Sequence, residues 1–293
     1  MSSSVELNRI QRIGAPGLFV ILWSTGFIGA KFGLPFAEPL TFLLWRYGFV
    51  TLIFLALTLM LRAPWPATPM QGVHIAVSGV LVNAVYIGGV FCAIAQGVPA
   101  GIVSLIVGLQ PLFTAVLASR ILGEKVYGRQ WIGFFLGLAG MLLVLGDKIS
   151  FAGGNSRGVL LSLLALLGMT VGTLYQKRFC VSMDLRSGAV IQFGASALAM
   201  ALIAPFFEKM QVVWSGRFIF AMTWLVVVLS VGAISLLNGL IRRGEASRVA
   251  SLFYLVPPVT SLLAFFFFQE RLGTNALLGM GVCVTGVALA IRR

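Results

Sequence analysis

The sequence predicts an all-α integral membrane protein with ten transmembrane helices arranged as two inverted five-helix repeats. Three observations predict it. Of the 293 residues, 59% are hydrophobic and only 10% are charged, with a mean hydropathy of +1.01. A soluble chain of this length could not hide so much apolar surface, whereas lipid solvates it. Residues 101–145 return as residues 247–291 under one fixed offset: Val103, Pro111, Thr114, Glu124, Gly133 and Gly140 meet Val249, Pro257, Thr260, Glu270, Gly279 and Gly286. The same offset pairs Gly26 with Gly172, Lys31 with Lys177 and Gly48 with Gly194. Third, the basic residues segregate between alternate loops.

Taken in order, apolar stretches of roughly 20 residues, enough to cross a bilayer, lie between charged or Pro/Gly-marked breaks. In the first repeat (15–146) they run over 15–34, 39–61, 71–95, 99–119 and 129–146; in the second (158–291) over 158–176, 187–206, 217–241, 247–268 and 274–291. The first stretch follows Arg9 and Arg12 in the manner of a signal peptide. Its register with residues 158–180 makes it a retained helix of the repeat. The chain is expected to be a single membrane domain.

With the N-terminus in the cytoplasm, the inside segments hold Arg9, Arg12, Arg62, Arg120, Lys125, Arg129, Lys177, Arg178, Arg186, Arg242, Arg243, Arg248, Arg292 and Arg293. The outside loops hold only Lys148, Arg157, Lys209, Arg217 and Arg271. This is the positive-inside pattern, so the net charge of +13 is topology and not a nucleic-acid footprint. Both termini are expected in the cytoplasm. An odd number of helices per repeat turns the second copy upside down: Glu124 falls on an inside loop and Glu270 on an outside one. Inverted repeats recur in carriers that work by alternating access, because one sequence then builds both gates. Cys92, Cys180 and Cys283 are odd in number and lack framework spacing, so no disulfide is expected.

Certain motifs then stand in order along the whole chain. They read Trp23-Ser24-Thr25-Gly26…Lys31, Pro39…Arg46 and Pro111…Gly123-Glu124-Lys125 in the first copy. The second copy has Gly172…Lys177, Gln192 and Pro257-Pro258…Gln269-Glu270-Arg271. With ten spans and the inverted duplication, the chain resembles the EamA-type drug/metabolite transporters, with the YddG-like amino-acid exporters as the nearest branch on length and pattern. The resemblance implies secondary transport of small metabolites, often export of amino acids from bacteria.

Pro111 and Pro257 fall within the fourth and ninth spans, where each removes a helix hydrogen bond; one in each repeat suggests paired hinges. Arg46 lies within the second span and is costly there unless it has a partner. It could take a substrate carboxylate, snorkel, or tie down a helix end, and its repeat mate Gln192 keeps hydrogen bonding without charge. Lys31, Lys177, Glu124 and Glu270 read as terminal anchors. The remaining candidate lining is uncharged: Asn83 and Tyr86 on one face, Ser24 opposite its repeat mate Thr170, Thr173, Gln110, Asn238 and Tyr254, with Trp23 and Tyr175 as aromatic surface. An apolar cavity with a few hydrogen-bonding groups suits amino acids or similar metabolites. Each of these residues could equally serve an interhelical hydrogen bond.

No Asp or Glu sits deep in a span and His74 is the single histidine, so neither a central proton carrier nor a metal site is expected. The expected function is facilitative export of small organic metabolites, most of all amino acids and aromatic ones among them, across a bacterial inner membrane. Nucleotide, nucleotide-sugar or drug transport, a passive channel and a membrane-embedded enzyme are the alternatives. No cofactor or metal is expected; the partners are a small-molecule substrate and lipid, without nucleic acid. Gly133, Gly137, Gly140, Gly279 and Gly286 allow close helix packing, within a monomer or in a weak homodimer.

Overall fold

Nearly all the described residues are helical, and the helices overlap the predicted stretches, with the first starting earlier, at Ser2, and the described run of the fourth beginning at Gln110. The structure is a computed structural model that describes residues 2–98, 103, 106–123, 125–145, 156–243, 246–268 and 274–291. Within these, α1 is Ser2–Gly33, α2 Pro39–Met60, and α3 runs as Pro69–Gly79, Val80–Ile87 and Gly88–Ala95. Then follow α4 (Gln110–Ile121), α5 (Gly128–Leu145), α6 (Ser156–Phe179) and α7 (Leu185–Phe207). Three pieces, Gly216–Trp224, Leu225–Ala233 and Ile234–Arg243, make α8; Ala246–Ser251, Leu252–Leu255 and Val256–Phe268 make α9; Thr274–Ile291 is α10. Among the described residues five helical runs are long and apolar enough to cross a membrane: Pro39–Met60, Pro69–Ala95, Ser156–Phe179, Leu185–Phe207 and Gly216–Arg242. Shorter apolar helical stretches are Gly14–Gly26, Val249–Thr260 and Leu277–Ile291.

Large apolar side chains face outward all over the molecule, from Leu52 and Met60 on α2 to Phe206 and Phe207 on α7. In water this surface would drive aggregation; in hydrocarbon it is the solvated face. Helix starts are capped where the sequence offers a cap. Thr68, Asp184 and Ser215 each accept a backbone N–H from the first turn of α3, α7 and α8.

Helices α5 and α10 pack backbone to backbone through the glycines that the repeat shares. A Cβ on Gly133 would stand 2.6 Å from the Gly286 carbonyl oxygen, and one on Gly140 2.7 Å from that of Gly279. Backbone meets backbone here, so these glycine faces are used within the chain.

The two repeats share a second feature. In the middle of α3, Val80–Ile87 is wound as a π-helix, and in the middle of α8 so is Leu225–Ala233. The repeat offset carries 80–87 onto 226–233. The Gly88 N–H reaches back five residues to the Asn83 carbonyl, and the Ile234 N–H to that of Leu229. Wider turns of this kind cost helix energy and cluster at functional sites.

Each expected kink proline stands where a helix restarts. Gly108 and Leu109 form a turn, Leu112 donates to Leu109 at 3.0 Å, and Pro111 opens α4 in the first turn. In α9 a 3₁₀ segment, Leu252–Leu255, precedes the piece that holds Pro257. Proline is tolerated in a first turn because its missing N–H would have had no intrahelical partner. The result is a matched pair of discontinuous helices, one per repeat.

Candidate functional site

The discontinuities and the π-helical segments converge on two neighbouring chambers that share a wall. That wall is Trp23 of α1 and Tyr86 of α3, both buried, with ring planes parallel to within 2° and centroids 6.3 Å apart. Phe253 of α9 meets the Trp23 ring edge-on at 5.4 Å, and Phe19 packs against both. One chamber, open at its mouth, is bounded by Trp23, Arg46, Tyr86, Phe91, Leu229 and neighbouring small and branched residues. The other lies on the side of the broken helices and touches Val107, Gly108, Phe253 and Pro257.

Arg46 is the charged residue of this site. Its side chain is fully buried in the membrane-embedded part of α2. Nε donates to the Ser230 hydroxyl in the π-helical part of α8 at 3.0 Å, and the guanidinium carbon lies 5.9 Å from the Tyr47 ring centroid. Nη1 and Nη2 are buried with no hydrogen-bond partner among the described residues. Tyr47 in turn donates to the Asn83 backbone carbonyl at 2.8 Å, fixing α2 against the π-turn of α3.

A buried polar cluster links four helices. Gln192 of α7 donates to the Ser78 hydroxyl at 2.9 Å and accepts from Asn238 at 3.0 Å, while Asn238 accepts from Gln176 at 3.0 Å. The Cys180 thiol lies 3.8 Å from the Ser78 hydroxyl oxygen. Arg46 therefore joins α2 to α8, and its repeat mate Gln192 joins α7 to α3, the corresponding pair of the second repeat. Beyond this cluster, Arg242 donates to the Met183 carbonyl and Arg178 to that of Ile121, both at 3.1 Å.

At the opposite end the loops of the two repeats are pinned together. Ala37 and Val212 form an antiparallel bridge, and Val213 donates to the Phe36 carbonyl at 2.9 Å. The Glu208 carboxylate accepts the Leu40 and Thr41 N–H groups at the start of α2, each at 2.7 Å, together with the Thr41 hydroxyl. A carboxylate on a helix N-terminus satisfies two orphan donors and the positive end of the dipole.

Of the candidate residues, Trp23, Arg46, Tyr86 and Pro257 line the chambers. Ser24 is bonded away: its hydroxyl donates to Val20 at 2.7 Å and reaches the Val256 carbonyl at 3.4 Å. Thr170 and Thr173 donate back to carbonyls of their own helix. Tyr175 shares a 2.6 Å hydrogen bond with His74, away from the chambers, and Asn238 belongs to the polar cluster. Asn83, Gln110 and Tyr254 are buried, each with a side-chain oxygen that has no hydrogen-bond partner among the described residues, but they do not line either chamber. The Tyr254 ring packs where a Gly137 side chain would be, which ties it to α5. Pro111 opens α4 just past the Gly108 turn. The Lys31 side chain, Glu124 and Glu270 lie outside the described residues. Sequence reasoning did not find Ser230, Ser78, Gln176, Tyr47 or Phe253; only Gln192 carried a signal, as the repeat mate of Arg46.

A repeated bundle with a lipid-facing exterior, two discontinuous helices and a buried central chamber defines a membrane transporter. The EamA-like transporter family model matches residues 17–146 and again 156–292. The chain belongs to that family, one copy in each repeat. It is 29% identical to the inner membrane transporter YedA of Escherichia coli (strain K12) over 94% of this chain and 89% of that one. It is 27% identical to a protein of the same organism named "Probable amino-acid metabolite efflux pump", over 94% of this chain and 92% of that protein. The transporter YvbV of Bacillus subtilis (strain 168) is 29% identical over 92% and 88%. A solved crystal structure superposes with a TM-score of 0.76 at 21% identity, covering 94% of this chain and 95% of its own, and so shares the fold.

Proposed function

We propose that this protein is an inner-membrane carrier that exports small organic metabolites, amino acids foremost, by alternating access and without a coupled ion. The observation that carries this reading is the pairing of broken helices, α4 with α9, and of π-helical segments, α3 with α8, around two adjoining chambers that share the Trp23–Tyr86 wall. Discontinuous helices at a repeat interface are how carriers build a central site. With both termini in the cytoplasm, the Glu208–α2 contact would lie at the outer face and the Gln192 cluster at the inner one. Each cluster spans both repeats, which is what a gate requires.

Trp23, Tyr86, Arg46 and Pro257 would meet the substrate first. Asn83, Gln110 and Tyr254 hold unpartnered oxygens near enough in the fold to take part once helices shift. Ser24, Thr170, Thr173, Tyr175 and Asn238 act through the helix contacts they make. Facilitated export fits the sequence, because all eight acidic residues lie at helix ends, in loops or in the N-terminal segment. Pro111 and Pro257 act as the hinges at which α4 and α9 rearrange.

The test is flux of a labelled amino-acid panel into proteoliposomes holding the full chain, with and without a pH gradient. Saturable flux that ignores the gradient is expected. Flux that depends on the gradient would overturn the uncoupled mechanism, and no flux for any amino acid would overturn the substrate assignment.

A further inference from the structure

We infer that the Nη1–Nη2 edge of Arg46 is the anion-binding site of the chamber, and that the site takes small apolar monocarboxylates whether or not they carry an amino group. The inference deepens the transport reading and rests on it only for passage across the membrane; binding can be judged by itself.

Three observations support it. First, Arg46 is anchored through one nitrogen only. Nε is held by Ser230, whereas Nη1 and Nη2 are buried without a hydrogen-bond partner among the described residues, and Arg46 lines the chamber beside Trp23 and Tyr86. A planar guanidinium with two parallel N–H groups free on one edge fits the two oxygens of a carboxylate.

Second, no described acidic side chain lines that chamber. Glu38 precedes α2, Asp184 precedes α7 and Glu208 follows it, each at a helix end. A buried charge with no counter-charge is costly, and a ligand that brings one recovers that cost on binding. A single guanidinium balances one negative charge. A dianionic phosphate ester would carry a second charge into hydrocarbon without a partner.

Third, the rest of the wall is apolar. Trp23, Tyr86, Val90, Phe91 and Leu229 offer surface for a ring or a branched chain. Among the described residues no acidic side chain reaches this wall, so a substrate ammonium group finds no ion-pair partner there. Recognition therefore rests on the carboxylate and the apolar body, and removal of the amino group does not weaken binding.

The test is equilibrium binding of three probes to the purified full-length chain: 3-phenylpropionate, L-phenylalanine and L-phenylalaninamide. The two acids are expected to bind saturably and the amide about tenfold or more weaker. Arg46→Gln should lower the affinity of both acids by about tenfold or more, with Arg46→Lys recovering part of it. Ser230→Ala, which removes the Nε anchor and keeps the charge, should weaken the acids by only a few-fold, and it covers the case in which Arg46→Gln fails to fold. An amide that binds as well as the acids, or acids that do not bind at all, would overturn the anion site. Phenylalanine binding far more tightly than phenylpropionate would overturn the claim that the amino group is dispensable. Counterflow of the same acids in proteoliposomes separates the two readings. Binding without flux leaves the site standing and overturns transport.

Discussion

Single residues carry the two ends of this molecule. Asp184 caps α7 and is held below its ordinary carboxyl range, first by the hydrogen bond from the Arg186 side chain and then by the backbone N–H groups of Arg186 and Ser187. A depressed folded value means that the ionised form stabilises the fold above the ordinary carboxyl range, and that this contribution is lost as pH falls through the folded value. Asp184→Ala should cost about 1 kcal/mol at neutral pH, seen as a lowered unfolding temperature in detergent. The deficit should shrink below a pH of about 4; a deficit that stays constant there would refute the assignment. Gln192 matters more. Gln192→Leu strands Ser78 and Asn238 together, and about 2 kcal/mol of destabilisation is expected. Asn238→Ala removes one arm of the same cluster and should cost less in the same assay. The sequence made Gln192 legible only as the repeat mate of Arg46. Its true partners sit 114 and 46 positions away, on helices whose facing sides no local pattern reveals.

At the scale of the element, what could be read depended on whether a residue type carries its own conformational constraint. Pro111 and Pro257 marked breaks because proline lacks the N–H, and the breaks are there; their position at helix restarts follows from the same chemistry. The five glycines of α5 and α10 were legible as a close-packing face, and the repeat offset placed them in register. The π-helical segments were not legible. Val80–Ile87 is a largely apolar run, broken by Asn83 and Tyr86, with no Pro and no Gly, and Gly168 and Gly172 of α6 pack closely against it. A Cβ on Gly168 would come within 3.0 Å of the Leu81 carbonyl oxygen and 2.7 Å of Val85. Gly168→Leu should therefore destabilise the chain by about 1–3 kcal/mol or more through overpacking. An equally bulky change at Gly281, whose added Cβ meets nothing, should be near neutral. Equal unfolding temperatures for the two variants would show that α6 does not support the π-turn. Candidate lining such as Thr170 and Thr173 shows the limit of reading faces. Both lie on a buried face, yet their hydroxyls turn back onto their own helix carbonyls, an option that is always open to threonine in a helix.

For the whole molecule, the proposed alternating access makes a demand that neither copy meets alone: the contacts at the two ends, both formed in this structure, must open in turn. Ala37–Val212 joins the repeats at one end of the bundle, and Ser78–Cys180 joins them at the other. Alternating access requires both contacts to exchange during each cycle, whereas a channel or a rigid scaffold requires neither to move. Ala37→Cys with Val212→Cys places two thiols across an antiparallel pair, where a disulfide can form, and Ser78→Cys places a thiol beside the native Cys180. Oxidation of either variant should abolish saturable flux, and reductant should restore it. Binding of a carboxylate probe to the oxidised 37–212 variant should persist, because the chamber of Arg46 lies between the two locks and remains reachable from the other end. If flux continues unchanged with the 37–212 disulfide fully formed, that end does not open in the cycle, and the molecule moves its substrate by a route that the two-gate architecture does not describe.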